Sequence, residues 1–537
     1  MLVHKLMNPI LPLVACLAFA APAAAQEEFR EFIETAGRMG SGGSVVDQES
    51  AHFTISAPKL GADLLGSHAE KVWDFLQETL GVAPSGKIKL VFYFLGRGSD
   101  QMGTGVFEKY DPEADVLYFQ FDYDWRRDLA RGIVGAYLHK LAPERAGAIS
   151  PALLSGLKAY LGNFDAKHDA AAFHTPVKGH LHVSKRAQSL ASKGKLLPGK
   201  KFTDLKVADV VDFEPAAWAL AGYLLNAKGK RDELKAWLAA HVEGKEAAPV
   251  AALEAEVTKW ASGLDVKTPD REDAKYLIAD TMYYSIYVQK GTARVKPAMN
   301  DRQILDDLKK RMDLIYIKYA QAFKVEKFIT RRPKVYYYKD EYAYAAMGGS
   351  RSALAHYMPL SKTVVAYENP DGKVVSTFHV LAHEGCHQFF DLAFPGFFES
   401  EENPTWFSEG LAECFGSCEI RGGNLEIFTS TGSAAENAPI IRDIIKEGKQ
   451  TPFKELFQMS HEEFMTRAGI HYPQSWSICH WMWNAGYREV IVRLIEGFKR
   501  GKPRDEVYAE AFVKDGRKLD INILEREWVE YAKRILK

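Results

Sequence analysis

Residues 376–390 read STFHVLAHEGCHQFF, and residues 128–141 read DLARGIVGAYLHKL. Laid over each other, the two share an apolar helical pattern and one histidine. Only the later one carries His383, Glu384 and His387 together. As a helix capped by Ser376 or Thr377, it puts His383 and His387 one turn apart on one face. Two imidazoles at that spacing can meet one zinc ion, and Glu384 beside them can take a proton from water.

Working outward, the neighbours of the two helices match as well. HFTISA (52–57) corresponds to YYSIYV (283–288), and the amphipathic AEKVWDFLQETLGV (69–82) to ILDDLKKRMDLIYIKYAQAF (304–323). The strand candidates IKLVFYFL (88–95) and DVLYFQFDYD (115–124) correspond to PKVYYYKD (333–340) and KTVVAYEN (362–369), each pair separated by a glycine-containing loop. Downstream, SPALLSGLKAYLG (150–162) faces NPTWFSEGLAECFG (403–416), and ALEAEVTKWASGL (252–264) faces ILEREWVEYAKRI (523–535). One order of elements running twice predicts an α+β chain built by tandem duplication, each copy a mixed sheet followed by helices. The copies are expected at 27–265 and 273–537, joined through the polar LDVKTPDRED (264–273), with GRMGSGGS (37–44) as a flexible lead-in.

A tetrahedral zinc needs a further ligand, and the stretch after the first helix offers one. Asn403 is a good N-cap and Pro404 fits a first helical position. Glu409 and Glu413 then fall on one face at i,i+4 spacing. Glu409 would be the carboxylate ligand. Glu413 would accept from the outer ring N–H of a ligand histidine. Three protein ligands leave a coordination position open, the arrangement of a catalytic rather than a structural site.

The pairing of H-E-x-x-H with W-x-x-E-G-x-A-E resembles the gluzincin metallopeptidases, including thermolysin-like enzymes and a group of aminopeptidases. It looks closest to the peptidase MA-like secreted proteins of bacteria. The resemblance implies that His383, His387 and Glu409 are zinc ligands and that Glu384 is the general base and acid of peptide hydrolysis. It also implies a later tyrosine or histidine that stabilises the oxyanion, which places Tyr472 in that role with His471 as the alternative. The edge strand that pairs with substrate in gluzincins would be 362–369. Glu409 follows His387 by 22 positions, further than in the aminopeptidases, so aminopeptidase specificity does not carry over. His379, one turn before His383, reads as a neighbour of the site rather than a ligand, and Cys386 points to one side of the histidine face.

The first copy has lost this set. Gly135 stands at the position of His383, Ala136 at Glu384 and His139 at His387. Ser155 is nearest to Glu409, Ala159 replaces Glu413 and Glu214 stands at Tyr472. A lone histidine cannot hold zinc, so this copy reads as a pseudo-peptidase lobe that shapes access, binds a partner of the cell envelope or supports the second lobe. His174, His180 and His182 lie close together in a loop without carboxylate or cysteine support.

The first 25 residues read as a cleaved leader: Lys5, an apolar run to Ala21, Pro22, and small residues before Gln26. Leu13-Val14-Ala15 before Cys16 offers the lipoprotein alternative. Either way the protein is expected to be exported, periplasmic or extracellular, with no transmembrane helix after the leader. Cys386, Cys414, Cys418 and Cys479 then remain, either as buried thiols or as disulfides with three pairings open. A net charge of −1 argues against nucleic acid as a partner. The sequence thus reads as a zinc metallopeptidase with one Zn²⁺ in its second domain and a peptide or protein as substrate. The rival reading is a catalytically inactive, peptidase-like binding or scaffold protein of the envelope.

Overall fold

A computed structural model describes residues 45–94, 108–121, 125–162, 181–206, 213–245, 253–266, 270–295, 298–323, 333–346, 353–359, 361–368, 377–394, 404–421, 424–427, 434–500, 502–514 and 516–535. The leader with Cys16, the 37–44 lead-in, His174, His180, Ser376 and Asn403 lie outside them. The chain divides into two compact units between Pro269 and Asp270, inside the polar stretch 264–273. The described part is mixed α and β, and no described helix is long and apolar enough to cross a membrane.

The N-terminal unit contains strands β1 (Val45–Glu49), β2 (Phe53–Pro58), β3 (Ile88–Phe94), β4 (Glu108–Asp111) and β5 (Val116–Phe121). Its helices are α1 (Lys59–Leu80), α2 (Trp125–Leu141), α3 (Pro151–Leu161), α4 (Leu181–Ser192), α5 (Glu214–Asn226), α6 (Lys230–Val242) and α7 (Glu254–Ser262). The sheet order is β1-β2-β3-β5-β4. The three central strands run parallel and each edge strand pairs antiparallel. Ser150 caps α3 through the amide of Leu153, and Pro151 takes the first helical position.

The C-terminal unit opens with β6 (Arg271–Glu272), β7 (Tyr276–Asp280), β8 (Ser285–Gln289) and the hairpin β9 (Ala293–Val295) and β10 (Ala298–Asn300). Then come α8 (Asp301–Ala322), β11 (Lys334–Tyr338), α9 (Glu341–Ala345), β12 (Ala355–Met358), β13 (Thr363–Tyr367), α10 (Thr377–Ala393) and α11 (Thr405–Gly416). After the hairpin β14 (Glu419–Arg421) and β15 (Asn424–Glu426) follow α12 (Ala434–Lys446), α13 (Phe453–Leu456), α14 (His461–Thr466), α15 (Ala468–Asn484), α16 (Arg488–Lys499) and α17 (Arg504–Ala511). The hairpin β16 (Val513–Lys514) and β17 (Arg517–Lys518) and α18 (Ile521–Ile535) close the unit.

Its six-stranded sheet has the order β12-β13-β11-β8-β7-β6. Apart from β6, the order and sense match the first sheet strand for strand: β7 antiparallel to β8, then β8, β11 and β13 parallel, then β12 antiparallel. Every residue of β13 is buried, the continuous apolar run that an interior strand needs. Strand 362–369 was expected at the edge; it is interior, and the edge on that side is Ala355–Met358, whose residues are mostly half-buried. Helix α8 starts in a full capping box of Asn300 and Gln303 and buries Ile304, Leu308, Met312, Ile315 and Tyr319 at helical spacing. Pro404 lies at the N-cap of α11, one position before the expected N1, without a side-chain cap.

Candidate metal centre

Helix α10 packs on β12, β13, α8 and α11, and α11 packs in turn on α15. The second crossing is close because residue 410 is glycine. A Cβ there would lie 2.6 Å from the carbonyl oxygen of Ser475 and 2.8 Å from Cys479 Sγ. Such a clash would force the helices apart, and Glu409, the preceding residue, would move with α11. Gly416 at the other end of α11 admits the His379 ring, which lies 2.9 Å from where a Cβ would be.

These crossings bring His383, His387 and Glu409 to one point. The Nε2 atoms of the two histidines are 3.2 Å apart. Glu409 Oε2 is 3.3 Å from His383 Nε2 and 3.6 Å from His387 Nε2. His383 Nδ1 lies 3.1 Å from Glu413 Oε1. Glu413 Oε2 in turn is 3.6 Å from His379 Nε2 and accepts from Asn437 Nδ2 at 3.0 Å. Two groups able to hold a metal ion result: His383, His387 and Glu409, and His379, His383 and Glu413. They share His383 through opposite ring nitrogens. When Nδ1–H donates to Glu413, the Nε2 lone pair faces Glu409 and His387, so the first group is the centre and Glu413 fixes the tautomer.

The electrostatics are those of a cation site. Burial opposes ionisation of Glu409, but His387 and His383 beside it outweigh burial and hold its carboxyl well below the usual range. Glu413 is held low in the same way, against burial, by hydrogen bonds to His379 and His383. Burial would lower the His383 ring, yet Glu409 and Glu413 push it well above its ordinary value. Positive charge is wanted at this point, and a bound metal ion supplies it without a proton.

Around the centre, Glu384 Oε2 accepts the backbone N–H of Tyr357 on the edge strand at 2.7 Å. Tyr472 lies inside α15, which begins a turn earlier than Pro473 suggests. Its phenol is pushed far up, first by burial and then by the charges of Glu409, Glu384 and Glu413, and its hydroxyl lies 4.0 Å from Met465 Sδ. His471 does not reach the site. It is fully buried, with Nδ1 2.6 Å from the carbonyl of Phe464 and Nε2 3.1 Å from Thr451 Oγ1. Cys386, Cys414, Cys418 and Cys479 are free buried thiols, not disulfides. Asn437 and the Tyr357 amide carry no motif. One lies 24 residues beyond Glu413 within 417–452, a segment longer than its counterpart in the first half of the chain, and the other is backbone.

The matching place in the N-terminal unit is filled by ion pairs. Gly135 has no side chain, and Lys158 Nζ lies 3.6 Å from where its Cβ would be. Lys158 pairs with Glu108 at 3.0 Å, and Arg131 lies between Glu108 (3.8 Å) and Glu214 (3.7 Å). His139 is half-buried with its ring against Tyr110.

Fold and site together define a mixed α/β protein whose C-terminal unit carries a His/His/Glu group able to hold a metal ion. Residues 375–505, which span both helices of that group, are similar to DUF1570, a family described only as proteins of unknown function. None of the curated proteins matches the chain.

Proposed function

We propose that this chain is an exported zinc-dependent metallopeptidase of the gluzincin type, in which a duplicated domain keeps its chemistry only in the second copy. The observation that carries the reading is the triangle of His383 Nε2, His387 Nε2 and Glu409 Oε2, with sides of 3.2, 3.3 and 3.6 Å. A tetrahedral ion with bonds of about 2.0–2.1 Å holds its ligand atoms about 3.3–3.4 Å apart, so the donors already lie near three corners around zinc. When bound, zinc supplies Lewis-acid chemistry: it polarises a carbonyl and makes water a nucleophile near neutral pH.

The chain's own groups would do the rest. Glu384 takes the proton of the attacking water and passes it to the leaving amine. Tyr472 donates to the developing oxyanion. Glu413 and Asn437 hold the His383 ring in the tautomer that leaves Nε2 free. The shared strand order, and Gly156 and Gly410 at equivalent helix crossings, support the duplication. Lys158 and Arg131 at the site of the first copy support a lobe without metal. Export rests on the leader at 1–25.

Metal analysis of the purified protein and digestion of a peptide library test the reading, with Glu384→Gln as control. One zinc per chain is expected, with cleavage by the wild type and loss of cleavage by about 10³-fold or more in a variant that keeps its zinc. Equal cleavage by both proteins would sink the mechanism, and a chain that takes up no zinc would sink the site.

A further inference from the structure

We infer that Tyr357 is the positioning residue for Glu384, its backbone N–H holding the carboxylate and its phenol holding the strand. The consequence for turnover rests on the peptidase reading; the anchor itself does not.

Strand β12 is the sheet edge, and in an antiparallel pair alternate residues turn their N–H outward. The Tyr357 N–H is one of these, and Glu384 Oε2 takes it at 2.7 Å. The phenol of the same residue donates to Asp391 Oδ2, which also receives Lys362 Nζ at 2.8 Å. Asp391 stands seven residues after Glu384 on α10, two turns along the same face. Helix α10 therefore grips Tyr357 twice, by its backbone through Glu384 and by its side chain through Asp391. One carboxylate oxygen of Glu384 is fixed toward the strand, which sets the direction of the other. A charge-assisted bond to an anchored amide can hold a base within the narrow range of positions that proton transfer requires.

The N-terminal unit separates the two halves of this device. Tyr110 pairs with Leu117 and Leu117 with Leu90, the register that Tyr357 makes with Val364 and Val364 with Val335. The Tyr110 phenol donates to Asp115 at 2.7 Å, and Lys140 pairs with the same carboxylate. Ala136 stands where Glu384 would be, so this unit has the phenol anchor and no carboxylate to position. The anchor belongs to the joint of sheet and helix; only the C-terminal unit aims a base with it.

The experiment compares full-length wild type, Glu384→Ala, Tyr357→Phe, Asp391→Asn and Tyr110→Phe by amide hydrogen exchange without metal, and the wild type and three phenol-anchor variants by steady-state cleavage of one library-selected peptide with zinc bound. Removing the carboxylate should speed exchange in the segment 353–359 by about tenfold, and Tyr357→Phe and Asp391→Asn should speed it by a smaller factor. With zinc content unchanged, these two variants should lose about 10- to 100-fold in kcat while KM stays within about threefold. Tyr110→Phe should leave both constants as they are. Unchanged exchange in Glu384→Ala, or a wild-type kcat in both Tyr357→Phe and Asp391→Asn, overturns the inference. If the wild type itself cleaves nothing, the peptidase reading fails, and the exchange result still decides the anchor.

Discussion

At the joint between sheet and helix, the N-terminal unit holds Tyr110, Asp115 and Lys140, and the C-terminal unit holds Tyr357, Lys362 and Asp391. Asp115 and Lys362 occupy the same place, just before β5 and β13, and both have left-handed φ, 53° and 52°. Among the described residues they are the two non-glycine positions with positive φ. The acid sits on the turn and the lysine on the helix in one unit, and the reverse holds in the other. Each unit thus joins a tyrosine, an acid and a lysine, with the acid and the lysine in exchanged places. Energy demands the ion pair and the phenol's partner, not the residue at each end.

The same lesson holds at the helix crossings. Gly156 meets the carbonyl of Ala217 as Gly410 meets that of Ser475, and Gly162 admits Arg131 as Gly416 admits His379. Close backbone approach leaves no room for a side chain, so both units have glycine at these crossings. The groups between the helices can be traded, and there the units part: His383, His387 and Glu409 on one side, Arg131, Lys158, Glu108 and Glu214 on the other. Both sets gather carboxylates, one beside histidines in a group able to hold a metal ion and the other beside protein cations.

Stripping the metal breaks the comparison most sharply. A ligand present at about 1,000 times its Kd adds about 4 kcal/mol to the folded state that binds it. Chelation should therefore lower the unfolding transition of the C-terminal unit and leave that of the N-terminal unit in place. Calorimetry of the full chain with and without chelator reads this, and equal shifts in both transitions would refute the difference in metal dependence.

Alanine at the paired glycines comes next. Gly156→Ala would drive a Cβ onto the carbonyl oxygen of Ala217, and Gly410→Ala would place one 2.6 Å from Ser475 O. Overpacking of this kind costs about 1–3 kcal/mol, more than the gain in helix propensity of roughly 1 kcal/mol. Each variant should destabilise its own unit, Gly156→Ala the more, and only Gly410→Ala should also weaken metal binding. Urea titration and a competition assay for zinc affinity check both, and unimpaired metal binding in a destabilised Gly410→Ala would show that the crossing does not place Glu409.

Much of this was legible in the sequence, because helix period and ligand spacing are local. The i,i+4 pairs His383/His387 and Glu409/Glu413 fall where the helices put them. The edge strand was not legible: AHYM is short and half-buried, and the fully apolar TVVAY beside it drew the assignment. The partner of Glu384 was hidden because a backbone N–H has no residue identity. His471 and Tyr472 looked equivalent in sequence. On a helix they point about 100° apart: His471 is fully buried, and the half-buried Tyr472 feels the charges of Glu409, Glu384 and Glu413.

Glu214 carries the most specific prediction, since it aligns with Tyr472. Burial pushes its carboxyl up to about 7, even with Arg131 beside it lowering the value. The folded state therefore holds the proton more tightly than the unfolded chain, where a glutamate titrates near 4.3. The sign follows: the N-terminal unit is most stable below about pH 4.3 with respect to this group, loses stability as pH rises toward 7, and changes little above it. Glu214→Gln keeps the shape and removes the ionisation. It should nearly match the wild type at pH 4.5 and exceed it by about 3–4 kcal/mol at pH 8, read as the shift in the N-terminal transition. A gain that stays constant with pH would mean that Glu214 is ionised throughout and paired with Arg131. The N-terminal unit would then carry a settled ion pair at the position that aligns with Tyr472 in the C-terminal unit.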